Sequence, residues 1–288
     1  MSDDKYPGES GRRRFVKGVV GSAALSTVGA TSAGAINPIT SSTGIGGGAT
    51  TFVGIENTDG PAPRGMPMIP VRIDEAGDLK GFFPEASEVD EGGQTVQVAR
   101  KDMGGQTYSS EWFQYCGVET YPGIQPGSDQ DNYFRYASEP PYEWQQNDVE
   151  AGDKVNVSEF SDYETWSNDI GEKPNGKPAI VTWRSQDVPD GKTMPVQVLR
   201  IPQERFQEMK DQSGMAGWLD AATPDGDTFI AWLNKCTHFC CVPGFKSLSG
   251  SASFGAENEV YCQCHQSVYD PFSPAERQYT AFPRPEPE

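Results

Sequence analysis

The sequence has few histidines and few basic residues. Only two of its 288 residues are histidine, and 23 lysines and arginines stand against 41 aspartates and glutamates, giving a formal net charge of −18. This balance argues against nucleic-acid binding, because the phosphate backbone is bound by basic patches. It is typical of salt-adapted proteins of extreme halophiles, in which high salt screens the self-repulsion of a negative surface. A merely acidic protein is the alternative.

The six cysteines and two histidines are unevenly distributed. Five of the cysteines and both histidines lie in the short segments 236–241 and 262–267. A thiolate and an imidazole close together in each segment can supply four ligands to one metal centre, and two of the other cysteines can cross-link the loops. The segment 242–261 between them is rich in Gly and Ser and long enough for a hairpin. Because both histidines belong to this pattern, a Ser-His-Asp triad is not expected.

The spacing of these ligands carries a specific resemblance. The motifs Cys236-x-His238-x-x-Cys241 and Cys262-x-Cys264-His265-x-Ser267 resemble the cluster-binding loops of Rieske iron–sulfur proteins from quinol-oxidising cytochrome bc complexes. A structural zinc site is the alternative, but zinc ligands usually form pairs separated by two to five residues, unlike these.

The resemblance implies a role for each of these residues. Cys236 and Cys262 would ligate one iron of a [2Fe–2S] cluster, and His238 and His265 the other. Cys241 and Cys264 would form a disulfide between the two loops. The Rieske ferredoxins of ring-hydroxylating dioxygenases lack this pair of cysteines. The chain therefore resembles the respiratory type of Rieske protein.

Residues around the ligands match the family in part. Ser267 and Tyr269 occupy the positions of hydroxyl donors to the cluster sulfurs, and Phe239 that of a shielding side chain. Hydrogen bonds of this kind imply the high end of the Rieske potential range, which spans roughly −150 to +300 mV.

Three positions in the loops depart from the family. They are Cys240 and Gln266, where Gly is common, and Gln263, where Pro is usual. Cys240 leaves the pairing of Cys241 open to competition. If Cys241 pairs with Cys264, two cysteines are left, Cys240 and Cys116. Either they form a second disulfide, as in an exported protein, or both are buried thiols.

The N-terminal segment 1–36 predicts export. Arg12-Arg13, followed by Phe15 and Lys17 and then an uncharged, weakly apolar run, resembles a twin-arginine signal, a route that carries folded proteins. The segment is either retained as a single anchor helix or cleaved near Ala33-Gly34-Ala35. In both cases the cluster domain would lie outside the cytoplasm, where a disulfide persists. A retained anchor helix would also hold it at the cell membrane.

The remaining chain predicts a mainly β fold. Residues 37–59 are rich in Ser, Thr and Gly and are expected to form a flexible linker. Residues 60–151 predict an extra region of short strands and loops of unknown role. Residues 152–288 resemble a Rieske domain, an antiparallel β-sandwich with a subdomain of two cluster-binding loops. Its ending, 282–285, resembles the proline-rich loop that covers the cluster.

The composition predicts individual elements within the last region. Runs of β-branched residues between Gly and Pro turns predict strands over 154–157, 178–184, 194–201, 229–233 and 259–261. A proline at its start predicts a short helix over 202–209. The last two strands would deliver the two cluster loops.

The resemblance implies one-electron transfer. Quinol would be oxidised beside a membrane-bound cytochrome b, and a cytochrome c or a small copper protein would receive the electron. Exposed His265 would accept a hydrogen bond from quinol and take its proton. The alternatives are a relay subunit of an exported nitrate- or arsenite-type oxidoreductase, and a non-redox protein with a structural metal.

Overall fold

A computed structural model describes eight ranges of the chain: 48–59, 64–91, 93–109, 131–173, 175–188, 193–224, 226–236 and 241–281. Several predictions lie outside these ranges, namely those for the N-terminal segment 1–36, Cys116, His238, Phe239, Cys240 and the ending 282–285. Within the described ranges, no helix combines the length and apolarity that a membrane crossing requires.

The protein is mainly β, as the composition predicts. Its strands are β1 Gly48–Asp59, β2 Gly65–Pro67, β3 Val71–Ile73, β4 Leu79–Gly81, β5 Ala86–Glu91, β6 Gln94–Met103, β7 Gln106–Ser109, β8 Phe134–Tyr136, β9 Lys177–Trp183, β10 Met194–Arg200, β11 Phe229–Leu233, β12 Gly244–Phe245, β13 Val260–Cys262 and β14 Ser267–Ala281. The helices are α1 Glu143–Asp148, α2 Gln203–Ser213 and α3 Ala216–Ala222, with 3₁₀ turns at Val157–Phe160 and Ser249–Phe254.

Two antiparallel sheets contain most of the strands. The first has the order β12-β13-β14-β1-β2 and the second the order β11-β10-β9-β8; smaller sheets are β3-β4 and β5-β6-β7. Side chains of both large sheets belong to one buried apolar cluster, among them Ile55 and Tyr279 from the first sheet and Trp183 and Trp232 from the second. Strand β11 of the second sheet and the β13–β14 hairpin of the first deliver the two cysteine loops.

The predicted linker 37–59 is a strand over its last twelve residues. Strand β1 pairs antiparallel with β14 over its whole length, for example Phe52 with Arg277, and Phe52, Val53 and Ile55 are buried. The Thr, Phe, Val and Ile residues of this segment favour a strand, and the long C-terminal strand gives them a partner. Residues 48–59 are therefore part of a sheet and not of the flexible linker that the composition predicts.

The predicted region 60–151 also enters the large sheets. Strand β2 pairs with β1, and β8 pairs with β9. The described residues between 48 and 281 belong to one compact unit. Strands from the beginning and the end of this region therefore belong to the same two sheets that present the cysteine loops.

The strand predicted over 154–157 is wrong. Lys154 makes only an isolated bridge with Arg135, and Val157 begins a 3₁₀ turn. Asn156 caps this turn, because its side chain accepts from the Ser158 backbone N–H while Glu159 accepts from the Asn156 backbone N–H. This capping box satisfies the amide groups that a strand would have left to a neighbour.

Gly104 provides a test of packing between the β6–β7 turn and α3. It has a φ of +59°, and a Cβ atom there would lie 2.1 Å from the Gly217 carbonyl oxygen. We expect Gly104→Ala to lower the free energy of unfolding by about 1–2 kcal/mol for the left-handed backbone, plus about 1–3 kcal/mol for the clash. Denaturant unfolding measures both terms.

Gly105→Ala is the matched control. Gly105 also has a positive φ, +87°, but a Cβ there would meet nothing within 4 Å. It should therefore show only the backbone term. Equal losses in the two variants would contradict the close contact with α3.

Candidate metal centre

The first cysteine loop leaves β11 and is closed at its base by two hydrogen bonds. The Cys236 backbone N–H donates to the Cys241 carbonyl at 3.0 Å. The buried Asn234 side chain donates from Nδ2 to the Pro243 carbonyl at 2.8 Å. These bonds hold the two ends of the loop together and fix the direction in which Cys236 leaves the sheet.

The second cysteine loop is the turn of the β13–β14 hairpin. Cys262 and Ser267 are cross-strand partners and both are buried, whereas the four residues between them are exposed. Gln266 has a φ of +56°, a left-handed backbone at a position where the resemblance favours glycine. His265 therefore lies on an exposed turn whose base is fixed in the sheet.

A disulfide joins the two loops. It links Cys241 to Cys264, with their Cα atoms 6.6 Å apart. This is the pair that the resemblance implies. The bond ties the two loops to each other directly.

Removing this disulfide should weaken the fold. A cross-link between residues 23 positions apart restricts the unfolded chain, and loop-closure entropy predicts a stabilisation of about 3 kcal/mol. We expect the double variant Cys241→Ser/Cys264→Ser to lose this amount in denaturant unfolding.

A reductant provides the control for the disulfide variant. It should destabilise the wild-type protein by the same amount and leave the double variant unchanged. Full wild-type stability in the double variant would contradict the role of the bond. A remaining effect of reductant on the double variant would indicate the second disulfide, Cys116–Cys240.

Two buried thiols lie beneath the disulfide. Cys236 and Cys262 are each 1 % exposed, and their sulfur atoms are 3.9 Å apart. This is too long for a disulfide bond. Two thiolates bound tetrahedrally to one ion, at about 2.3 Å each, lie about 3.8 Å apart. The pair is therefore spaced as two ligands of one metal ion.

A third sulfur completes a close group but is a different kind of donor. The sulfurs of Cys236, Cys241 and Cys262 lie within 4.8 Å of one another and could hold a metal ion. Cys241 is in the disulfide, and a thiolate is the form of cysteine that binds metal. The group thus offers two thiolate ligands, Cys236 and Cys262.

Of the two histidines, the structure describes only His265. It is exposed and is not part of the close sulfur group. In a two-iron centre the nitrogen ligands bind the iron that the cysteines do not. A position outside the sulfur group is therefore compatible with that arrangement, and His238 lies outside the described residues.

No known protein identifies this site. No family model, curated protein or solved structure matches the chain.

Burial and neighbouring sulfurs determine the electrostatics of the site. The hydrogen bond that Cys262 donates to Cys236, together with burial, raises the pKa of Cys262 well above its ordinary value. Without a bound metal ion the Cys262 thiol therefore stays protonated at neutral pH. A bound metal ion reverses this preference, because a coordinating thiol loses its proton.

The two predicted hydroxyl donors both lie beside the thiols. Ser267 is 4 % exposed and Tyr269 is fully buried. Burial and then the adjacent Cys236 and Cys262 raise the pKa of Tyr269. Its hydroxyl approaches Cys236 but makes no hydrogen bond of ordinary geometry within the described part of the chain. It is thus a buried donor that faces sulfur.

Sequence reasoning missed two residues that shape the site. Asn234 closes the first loop, and Arg64 donates a hydrogen bond to Ser267 in the second. Asn234 follows a predicted strand, which is a weak signal for a loop-closing amide. Nothing near Arg64 in the sequence indicates its role, because it lies 203 positions from its partner.

Proposed function

We propose that this protein holds a Rieske-type [2Fe–2S] centre and transfers single electrons. The observation that carries the proposal is the pair of buried sulfurs, Cys236 and Cys262, 3.9 Å apart at the bases of two loops that a disulfide joins. Cys236 and Cys262 would hold one iron, and His238 and His265 the other. A cluster with these ligands accepts and returns one electron at a higher potential than an all-cysteine cluster.

The fold supports this proposal. Antiparallel sheets of five and four strands share one buried core and present both cysteine loops. Such a β scaffold holds the ligands on strand ends and a tight hairpin, where the loop bases cannot drift. We interpret it as a Rieske-type sandwich with a cluster-binding subdomain.

The position of His265 favours quinol as the electron donor. Its side chain is exposed on the tip of the second loop, so a membrane-embedded quinol bound at a cytochrome b can reach it. His265 would accept a hydrogen bond from the quinol hydroxyl through the ring nitrogen that does not bind iron, when that nitrogen is deprotonated, and would take the proton as the electron passes from the quinol to the centre. A cytochrome c or a small copper protein then receives the electron on the extracytoplasmic side.

Low-temperature EPR of protein exported by its own route and kept in high salt tests the function. We expect ascorbate treatment to give a rhombic signal with an average g value below that of all-cysteine clusters. Two irons and two sulfides per chain should accompany it. Ascorbate suffices because imidazole ligands and hydroxyl donors raise the potential.

Two other outcomes would change the conclusion. A signal that appears only after dithionite means a low-potential cluster and argues against quinol oxidation. No signal under either condition, with zinc in the metal analysis, overturns the iron–sulfur assignment.

A further inference from the structure

Arg64 is a buried arginine held in place by its own backbone. It precedes β2 and is only 5 % exposed. Its backbone N–H donates to Asn57 Oδ1 at 2.8 Å, and its carbonyl accepts from the Asn57 N–H at 3.0 Å. These two bonds therefore hold the Arg64 backbone against Asn57 of β1, and the Arg64 side chain is turned inward.

The Arg64 guanidinium points at the second cysteine loop. Its Nη1 donates to Ser267 Oγ at 2.6 Å, and Ser267 is the cross-strand partner of Cys262. The guanidinium also lies near enough to Tyr269 to act on it electrostatically. Arg64 is thus within the group of residues that surrounds the two thiols.

Its charge has no carboxylate partner in the described part of the chain. The ion pairs there involve other residues, and the buried Arg64 Nε makes no hydrogen bond. Burying a cation without a counter-charge is strongly unfavourable. Tyr269, on which the Arg64 charge acts, lies beside Cys236 and Cys262, so this charge lies close to the centre that the two sulfurs would hold.

We propose that Arg64 raises the reduction potential of the centre, through its charge and through the hydroxyl of Ser267. This inference rests on the proposed function. Uptake of one electron adds one negative charge beside a guanidinium that stays protonated, which favours the reduced state. Arg64 thereby links the region 60–151 to the chemistry of the site.

The hydrogen bond to Ser267 adds a positioning role. Arginine can only donate, so Ser267 Oγ acts as the acceptor and keeps its own hydrogen for another partner. That hydrogen is then available to a sulfur of the centre. Loss of Arg64 removes the charge and frees the hydroxyl to rotate.

An EPR-monitored redox titration of Arg64→Gln in the full chain tests the proposal. We expect the reduction equilibrium constant to fall about tenfold or more, equal to about 59 mV for a one-electron couple. Iron content should stay at the wild-type value. Arg64→Lys should shift the potential in the same direction but less, because it retains the charge and loses the bond to Ser267.

Arg72→Gln is the matched control. Arg72 is half-buried and donates to the Val71 and Ala221 carbonyls, outside the site. Its loss removes the same charge and should leave the potential unchanged. A wild-type potential in iron-loaded Arg64→Gln would overturn the proposal, as would an equal shift in Arg72→Gln. If Arg64→Gln does not fold, a wild-type reduction potential in Arg64→Lys would overturn the proposal instead.

A second measurement does not depend on the loaded centre. Without metal, Arg64 is a buried cation with no carboxylate partner among the residues that the structure describes, so metal-free Arg64→Gln should be at least as stable to denaturant as the metal-free wild type. A marked loss of stability would mean that Arg64 is structural. A wild-type protein that binds no iron would instead overturn the proposed function itself.

Discussion

Replacing Cys262 with serine is expected to leave a folded protein that binds no iron–sulfur centre. Cys262 is buried in β13, and its sulfur lies 3.9 Å from that of Cys236. Serine fits the same space but offers a hydroxyl, which keeps its proton and binds soft metals poorly. Changes to groups that only support metal ligands lower metal affinity 10–100-fold. Loss of a ligand should therefore lower the affinity by more than about 100-fold.

Iron and sulfide content and the visible spectrum measure this loss. Cys236→Ser should behave in the same way, because the two thiols act as a pair. The double variant Cys241→Ser/Cys264→Ser is the control: it also lacks cysteines of these loops, yet it keeps both proposed sulfur ligands and should still acquire iron. Full iron content in Cys262→Ser would show that the centre is not held by this pair.

Local patterns predict the elements that local chemistry determines. Strand β11 has the predicted bounds, and β9 and β10 lie within one residue of theirs. Runs of β-branched and aromatic residues between turn residues favour a strand wherever the partner lies. Helix α2 likewise begins directly after Pro202, as a proline at a helix start predicts.

The misassigned segments depend on partners that are distant or easily overlooked. The Ser, Thr and Gly content of 37–59 resembles a linker, but its residues 48–59 form a strand because β14, more than 200 residues away, pairs with them. Asn156 and Glu159 form a capping box that outweighs the β-branched residues of 154–157. A distant strand partner decides the first case, and local hydrogen bonding overrides strand propensity in the second.

The candidate site divides along the same line. The resemblance of the two cysteine motifs implies which residues meet, and the structure brings Cys236, Cys241 and Cys262 together. The groups that determine the environment of the sulfurs come from elsewhere: Arg64 from the start of β2 and Asn234 from the end of β11. The motifs therefore indicate the proposed ligands, and the fold supplies the surrounding groups that would determine the reduction potential of the centre.

Replacing His265 with alanine should remove the centre without unfolding the protein. His265 is exposed on the hairpin turn, so loss of its ring should change the free energy of unfolding by no more than about 0.5 kcal/mol. Its proposed role as an iron ligand predicts loss of the rhombic EPR signal and of bound iron. Metal analysis and unfolding of the same samples separate the two effects.

Gln263→Ala is the control for this variant. Gln263 lies on the same exposed turn and ligates nothing in the proposed site, so its loss should leave the EPR signal and iron content intact. If His265→Ala kept a normal Rieske spectrum, His265 would not be a ligand and the four-residue assignment would fail. If that variant kept the cluster but no longer oxidised quinol, its role would be limited to the proton. Loss of the signal in His265→Ala alone would place a nitrogen ligand at the exposed tip, where a quinol can reach it.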